Sequence, residues 1–502
     1  MKQRQFNRYV PKLIKDELDL ITYKRKDNLY TIIDLIHRKE IYYKTDLQKK
    51  YGFTQISKKQ FKQLIPSSDN LQQDLQFLID KGLILKNKYY VSGKESQRYK
   101  IPSEYLGARV GLTITNKNIN NRIWKQILAA KRRRVKSLEF AKTEYFKTFK
   151  LDFNGAEKAI LDKAMDEIKA LCLKVKLTLR EREIRDIIEC TNDYKKYRAM
   201  IFCKGKADEL NDILHRYMIY STRLSCIKDG FLFFKRNKTN GRLDTNLTSL
   251  PSFLRPFIIS SEKLMSIDVK NSQPYFLYTQ IKDRPEIDKT EFAKYAELVI
   301  SGTLYEFLME KYNANTRWER NRDQIKEMLC KIFYSKTSSF PAYKSFFGSL
   351  FPTIMNYINI TNSVDNSTLA NKLCSIESNA ILDVIMPLLE QKGIRPFTIH
   401  DSFVCKESEA NTIQEIFNTK LTEMYGIPPK LKIEYINELE EEIDDPILDW
   451  DKFIEEINAA VDKDELEKKA KNHNQVETPV VVQWTKRDYE HHELFHLIHK
   501  RA

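Results

Sequence analysis

The chain has little that would cross-link it or hold it in a membrane. Its seven cysteines, at 172, 190, 203, 226, 330, 374 and 405, include no Cys-x-x-Cys pair, so neither a zinc ribbon nor a disulfide framework is indicated. No run of about 18 uninterrupted apolar residues occurs, and the opening MKQRQFNRYVPKL lacks the apolar stretch of a signal peptide. Internal repeats and low-complexity tracts are missing as well. These absences predict a cytoplasmic protein in a reducing compartment, with no membrane partner.

What is present is length and positive charge. At 502 residues the chain exceeds the usual size of one hydrophobic core, so two or three domains are expected. Its 85 Lys and Arg outnumber 69 Asp and Glu, giving a formal charge of +16 that favours a polyanionic partner. The excess is local: residues 1–150 hold 34 Lys and Arg against 14 Asp and Glu, whereas residues 438–502 hold 9 against 18. The nucleic-acid footprint is therefore predicted in the N-terminal third, and the acidic extension at 438–502 is read as solvated or regulatory.

Within residues 1–110 the pattern predicts three short helices and a hairpin. Leu29, Ile32, Ile33 and Ile36 recur at helical spacing behind Asn28 as an N-cap. A second helix is predicted over 44–52, and a third over 70–82 with Leu71, Leu75, Leu78 and Ile79 on one face. Two β-rich runs then flank Ser92-Gly93-Lys94-Glu95, a hairpin signal. This order matches a winged-helix nucleic-acid-binding module; a small helical domain with a protein-binding role is the plainer alternative. Residues 111–154 read as a basic helical linker in which Arg132, Arg133 and Arg134 either form a solvated face or grip phosphates. Residues 155–230 look helical, and from 231 to 437 strands and helices mix.

Four separated segments in that last region carry chemistry-bearing residues. The first, at 239–257, holds Gly241-Arg242. The second ends a short apolar run on Asp268, with Gln273 five positions on. The third sets Arg322, Lys326, Cys330 and Tyr334 four residues apart, and the fourth has His400-Asp401 at a strand-turn-strand. On a helix a residue every four positions drifts by about 40° per step, so the third segment forms a slowly winding stripe, cationic first and aromatic last. Such a stripe suits a nucleoside triphosphate, although each piece alone fits an ordinary amphipathic helix or a turn. Two aspartates ending adjacent strands could hold two divalent cations about 4 Å apart for an in-line phosphoryl displacement.

Taken in order, these residues resemble the palm and fingers of family A polymerases, the DNA polymerase I-like and single-subunit phage-type RNA polymerases, over roughly 230–437. The resemblance implies an α+β right-hand fold, with an antiparallel palm sheet and helical fingers, preceded by a thumb-like region at 155–230. It implies metal binding by Asp268 and Asp401, and two Mg2+ ions with Mn2+ as a substitute. It further implies triphosphate contacts by Arg322 and Lys326, with Lys326 a catalytic proton donor to the departing pyrophosphate. Tyr334 and Cys330 would lie along the nucleotide, Gln273 beside its sugar, and Arg242 and His400 near the template-primer. The sequence departs from the family at Gln273, where DNA-making members commonly carry glutamate. It departs also at Ser335 for glycine, at Ser402 for glutamate, and at Glu377-Ser378 for Gln-Gly.

The expectation is a DNA-directed DNA polymerase of a replicating mobile element or phage, using a DNA template-primer and nucleoside triphosphates. RNA remains a further partner, and no proofreading exonuclease segment is expected. A single-subunit RNA polymerase or primase is the alternative within the same chemistry, and a winged-helix replication initiator or defence factor without turnover is the alternative outside it. The HHELFHLIH segment at 491–499 formally matches a zinc hydrolase through His492, Glu493 and His496. Such an enzyme needs a packed domain around its helix, so this match is set aside. An HD-phosphohydrolase reading of His400-Asp401 is set aside because strand formers flank the pair.

Overall fold

A computed structural model of the chain describes residues 5–42, 53–65, 67–87, 96–135, 138–316, 319–400 and 402–436. The helix predicted at 44–52, the hairpin turn at 92–95, Asp401 and the acidic extension with its His cluster lie outside the described residues. The described chain is a mostly helical α+β arrangement with small antiparallel sheets. Among the described residues no helix is long and apolar enough to cross a membrane, and the seven cysteines are free thiols.

The first apolar cluster is built from residues between Val10 and Ile127, joined by Phe231. Strand β1 (Asn7–Pro11) pairs antiparallel with β5 (Arg109–Thr113), which ties this region off at both ends. Between them the helix Lys26–Tyr42 buries Leu29, Ile32, Ile33 and Ile36 completely, the face its periodicity predicts. Asn28 is not its cap: the helix starts earlier, and the buried Asn28 amide donates to Asp74 at 2.7 Å. The helix Ser68–Asp80 is capped by the Ser67 side chain and buries Leu71 and Leu78. Strands β2 (Thr54–Gln55), β3 (Leu85–Lys86) and β4 (Arg98–Lys100) form a sheet in the order β2-β4-β3.

Residues 111–154 divide between two cores. Helix Lys117–Arg132 sends Ile119, Ile123 and Ile127 into the first cluster, whereas Tyr145 of helix Glu139–Thr148 sits in the largest cluster with the mixed region. Helices Phe153–Lys174, Glu181–Glu189, Tyr194–Phe202 and Ala207–Lys228 follow and share an apolar cluster of their own.

Where the N-terminal region meets helix Ala207–Lys228, charge is buried. Asp34 accepts from Arg8 at 2.9 Å and from Arg38 at 2.8 Å, and Arg109 lies 3.7 Å away. Asp229 lies 3.6 Å from Arg38 and accepts from the Tyr9 hydroxyl. The guanidinium groups of Arg8 and Arg38 stack over the Phe231 ring. Burial alone would raise the Asp34 pKa, but the three arginines overcome it and hold the carboxyl below its usual value. Asp229 lacks that concentration of positive charge, and burial pushes it up to about 6.

The mixed region carries a four-stranded antiparallel sheet, ordered β11-β8-β10-β9, from β8 (Leu264–Val269), β9 (Phe397–Ile399), β10 (Ser402–Lys406) and β11 (Leu431–Tyr435). Ile267 faces Phe403 across the central ladder, and both are fully buried. A separate hairpin, β6 (Phe234–Arg236) with β7 (Leu243–Thr245), stands near it.

Candidate active site

Strand alternation explains why an apolar run finishes on a carboxylate. Ile267 and Val269 are buried on one face of β8, so Asp268 between them is turned to the other face, half-buried and level with Lys432 of β11. Being flanked by β10 and β11, β8 is an inner strand, so Asp268 has little freedom to move. As a hard oxygen donor it suits Mg2+. Its predicted partner, Asp401, lies outside the described residues. No cluster of three or more metal-ligating side chains occurs among the described residues.

Asn271 follows in the left-handed region, at φ 55, where a non-glycine residue is strained. It is 5% exposed, and its side-chain amide has no hydrogen-bond partner among the described residues. Helix Ser272–Ile281 then starts, carrying Gln273 in its first turn.

Gln273, half-buried, is the centre of a polar network. Its Nε2 donates to Glu377 at 2.6 Å, while its Oε1 accepts from the Tyr334 hydroxyl at 2.8 Å. Glu377 also accepts from Ser272 at 3.0 Å, and from Arg242 through Nε at 2.9 Å and Nη2 at 3.1 Å. Glu377 and Tyr334 are fully buried, and Arg242 is 5% exposed. Three of the four motif segments therefore meet at one point, joined by a glutamate whose role the sequence left open. A Glu within the apolar run of helix Thr368–Ser378 was the signal that a partner had to exist, because a charge is buried only when paired.

The same geometry bears on two expectations. The Arg242 guanidinium is buried and paired with Glu377. Tyr334 presents no open face to a base: its ring is buried and its hydroxyl committed. Burial also holds its phenol well above its ordinary pKa, so it stays a donor.

Helix Arg322–Tyr334 begins with a capping box formed by Asn321 and Gln324. Lys326 is exposed and Cys330 half-buried. Arg322 is exposed but engaged, pairing with Glu306 at 2.8 Å and lying over the Tyr305 ring. At the other end, the Lys344 ammonium donates to the carbonyls of Ser335 and Lys336, and burial lowers its pKa to about 8.

His400 starts the two-residue connection between β9 and β10, where Ser402 pairs with Ile399. Tight hairpins of this kind call for positive φ, and His400 supplies it at φ 55. Burial, with Arg242 and Arg255 nearby, drops its pKa to about 3, which favours the neutral imidazole. Arg132, Arg133 and Arg134 are all exposed at the end of helix Lys117–Arg132, far along the chain from this network.

The hairpin is fixed to the site at a second point. Arg236 donates to both oxygens of Asp383 and to the Gly241 carbonyl. Asp383 belongs to the π-helical segment Asn379–Ile385, which continues directly from Glu377-Ser378. Gly241, at φ 73, would meet the Ser378 Cβ at 3.3 Å if it carried a Cβ of its own; the Gly in Gly-Arg-Leu is a requirement of backbone angle and close approach together.

Among solved structures, the chain is similar to the POL domain of Pol1 from M. smegmatis in complex with DNA primer-template and dNTP. The TM-score is 0.42 at 12% sequence identity, over 63% of this chain and 72% of that one. No family model matches the chain, and no curated protein matches it.

Proposed function

We propose that the chain is a template-directed nucleic-acid polymerase of the DNA polymerase I-like type. It joins a primer 3′-hydroxyl to the α-phosphate of a nucleoside triphosphate. The observation that carries this reading is the meeting of Arg242, Gln273, Tyr334 and Glu377 in one polar network. Segments that the motif order brings together are in contact, next to the strand that carries Asp268 near its end.

In this reading Asp268 and Asp401 hold two Mg2+ ions, which when bound activate the attacking hydroxyl and neutralise the leaving oxygen. Lys326, exposed one turn along its helix from Arg322, meets the triphosphate and supplies a proton as pyrophosphate departs. Arg322 reaches the phosphates by leaving Glu306, an exposed pairing that costs little to exchange. Residues 1–110 act as a nucleic-acid-binding module and residues 155–230 as a thumb, with 231–437 as the catalytic core. Helix Ser68–Asp80 carries Asp69, Asp74 and Asp80 and no Lys or Arg, so phosphate contacts fall to the basic strands after it and to Arg132, Arg133 and Arg134.

Primer extension with Mg2+, offering dNTPs and NTPs separately on DNA and RNA templates, tests the activity. Asp268→Asn should lower incorporation by about a thousandfold, equivalent to roughly 4 kcal/mol of lost charge stabilisation, while primer-template binding stays within about twofold. Residual turnover close to that of the unsubstituted chain would remove Asp268 from the metal site.

A further inference from the structure

Gln273 is held at both ends by groups that leave it no choice of orientation. Glu377 lies against Arg242, and a carboxylate in that setting only accepts hydrogen bonds. The Gln273 Nε2 must therefore face Glu377, and its Oε1 must face Tyr334, whose hydroxyl is then obliged to donate. The carboxylate accepts two bonds from Arg242, one from Ser272 and one from Gln273. Glu377 is fully buried, while Ser272 and Gln273 are half-buried. Polar groups arranged in this way specify one geometry, because flipping any member strands another without a partner.

We propose that Glu377 is a positioning residue for Gln273: the carboxylate, anchored by Arg242, fixes the Gln273 amide and through it sets how strongly the site distinguishes a deoxyribonucleotide from a ribonucleotide. The identity of the ligand rests on the polymerase reading; the lock itself does not. Glu377 itself touches no ligand and acts through Gln273 alone. Such a lock makes the two side chains depend on each other. Gln273→Glu would set two carboxylates against each other at hydrogen-bond distance. Glu377→Gln would weaken the pairing with Arg242 and free the Gln273 amide to flip. Making both changes returns one carboxylate and one amide to the pair: the new amide at 377 donates to the new carboxylate at 273, and Tyr334 still has an acceptor.

The test uses the full chain in four forms, unsubstituted, Q273E, E377Q and Q273E/E377Q. It measures the melting temperature of each and the dissociation constants of dGTP and GTP in Mg2+. Each single change should lower the melting temperature and move the ratio of the two constants by about tenfold, and the double change should recover most of both. If a single variant does not fold, recovery of folding in the double variant is the same coupling. Effects that merely add would overturn the proposal. So would a melting temperature that couples while the dGTP-to-GTP ratio stays unchanged, because Glu377 would then be structural only. Failure of the unsubstituted chain to bind either nucleotide overturns it outright. A chain that binds both but extends no primer sinks the polymerase reading and leaves the positioning role of Glu377 to be decided by the four-variant comparison alone.

Discussion

Two arginine–carboxylate networks are buried in the described chain, and they are balanced differently. At the N-terminal junction Arg8, Arg38 and Arg109 surround Asp34 and Asp229, and the two acids are driven apart, one below its usual pKa and the other up to about 6. At the candidate site one arginine meets one glutamate, and the other members, Ser272, Gln273 and Tyr334, are neutral. Burial where the arginines do not fully compensate it raises Asp229 to about 6, so the junction responds to pH. Matched charge with neutral donors fixes a shape. The difference separates a joint from a template.

The sharpest way to break this comparison is to remove one arginine from each network. Arg242→Ala takes from the fully buried Glu377 the guanidinium that pairs with it and should cost about 3–5 kcal/mol of stability, read by denaturant unfolding. Arg8→Ala leaves Asp34 still facing Arg38 and Arg109 and should cost less, about 1–3 kcal/mol. Equal losses would mean that charge balance does not distinguish the two sites. The next effect is in pH. A carboxyl whose folded pKa is raised to about 6 favours the folded state below its unfolded value near 4, and that contribution is lost as pH rises through about 6. Asp229→Asn should remove this slope between about pH 4 and 6 and gain on the order of 2 kcal/mol at pH 7, followed by melting temperature against pH. A slope unchanged by the substitution would reassign the titration. The smallest effect belongs to surface charge. Replacing Arg132, Arg133 and Arg134 by Gln should flatten the salt dependence of DNA binding, by about 0.9 in log–log slope for every phosphate these side chains neutralise, with stability unchanged.

Local pattern made much of this legible. The buried face of helix Lys26–Tyr42 follows its apolar spacing, and Asp268 falls at a strand end because alternation forces it away from Ile267 and Val269. The turn at His400 was equally readable, since strand formers flank it on both sides. What escaped was long-range. Nothing around Gly241-Arg242 reveals that the guanidinium would be buried against a carboxylate 135 residues away. The four-residue stripe winds as its spacing predicts: three steps of about 40° turn the helix through about 120°, so a line that begins in solvent at Arg322 ends in the core at Tyr334. The boundary of the N-terminal region was blurred, because basic composition at 117–132 hides the isoleucines that bind this helix inward.

The hairpin of β6 and β7 grips its helical partner twice, Arg236 on Asp383 and Arg242 on Glu377, while Lys238 and Thr239 at its tip stand in solvent. Slippage of the helix by a single residue would release both grips together, so tip and helix travel as one lever. Since Glu377 also accepts from Gln273, one carboxylate ties the hairpin to the first turn of helix Ser272–Ile281.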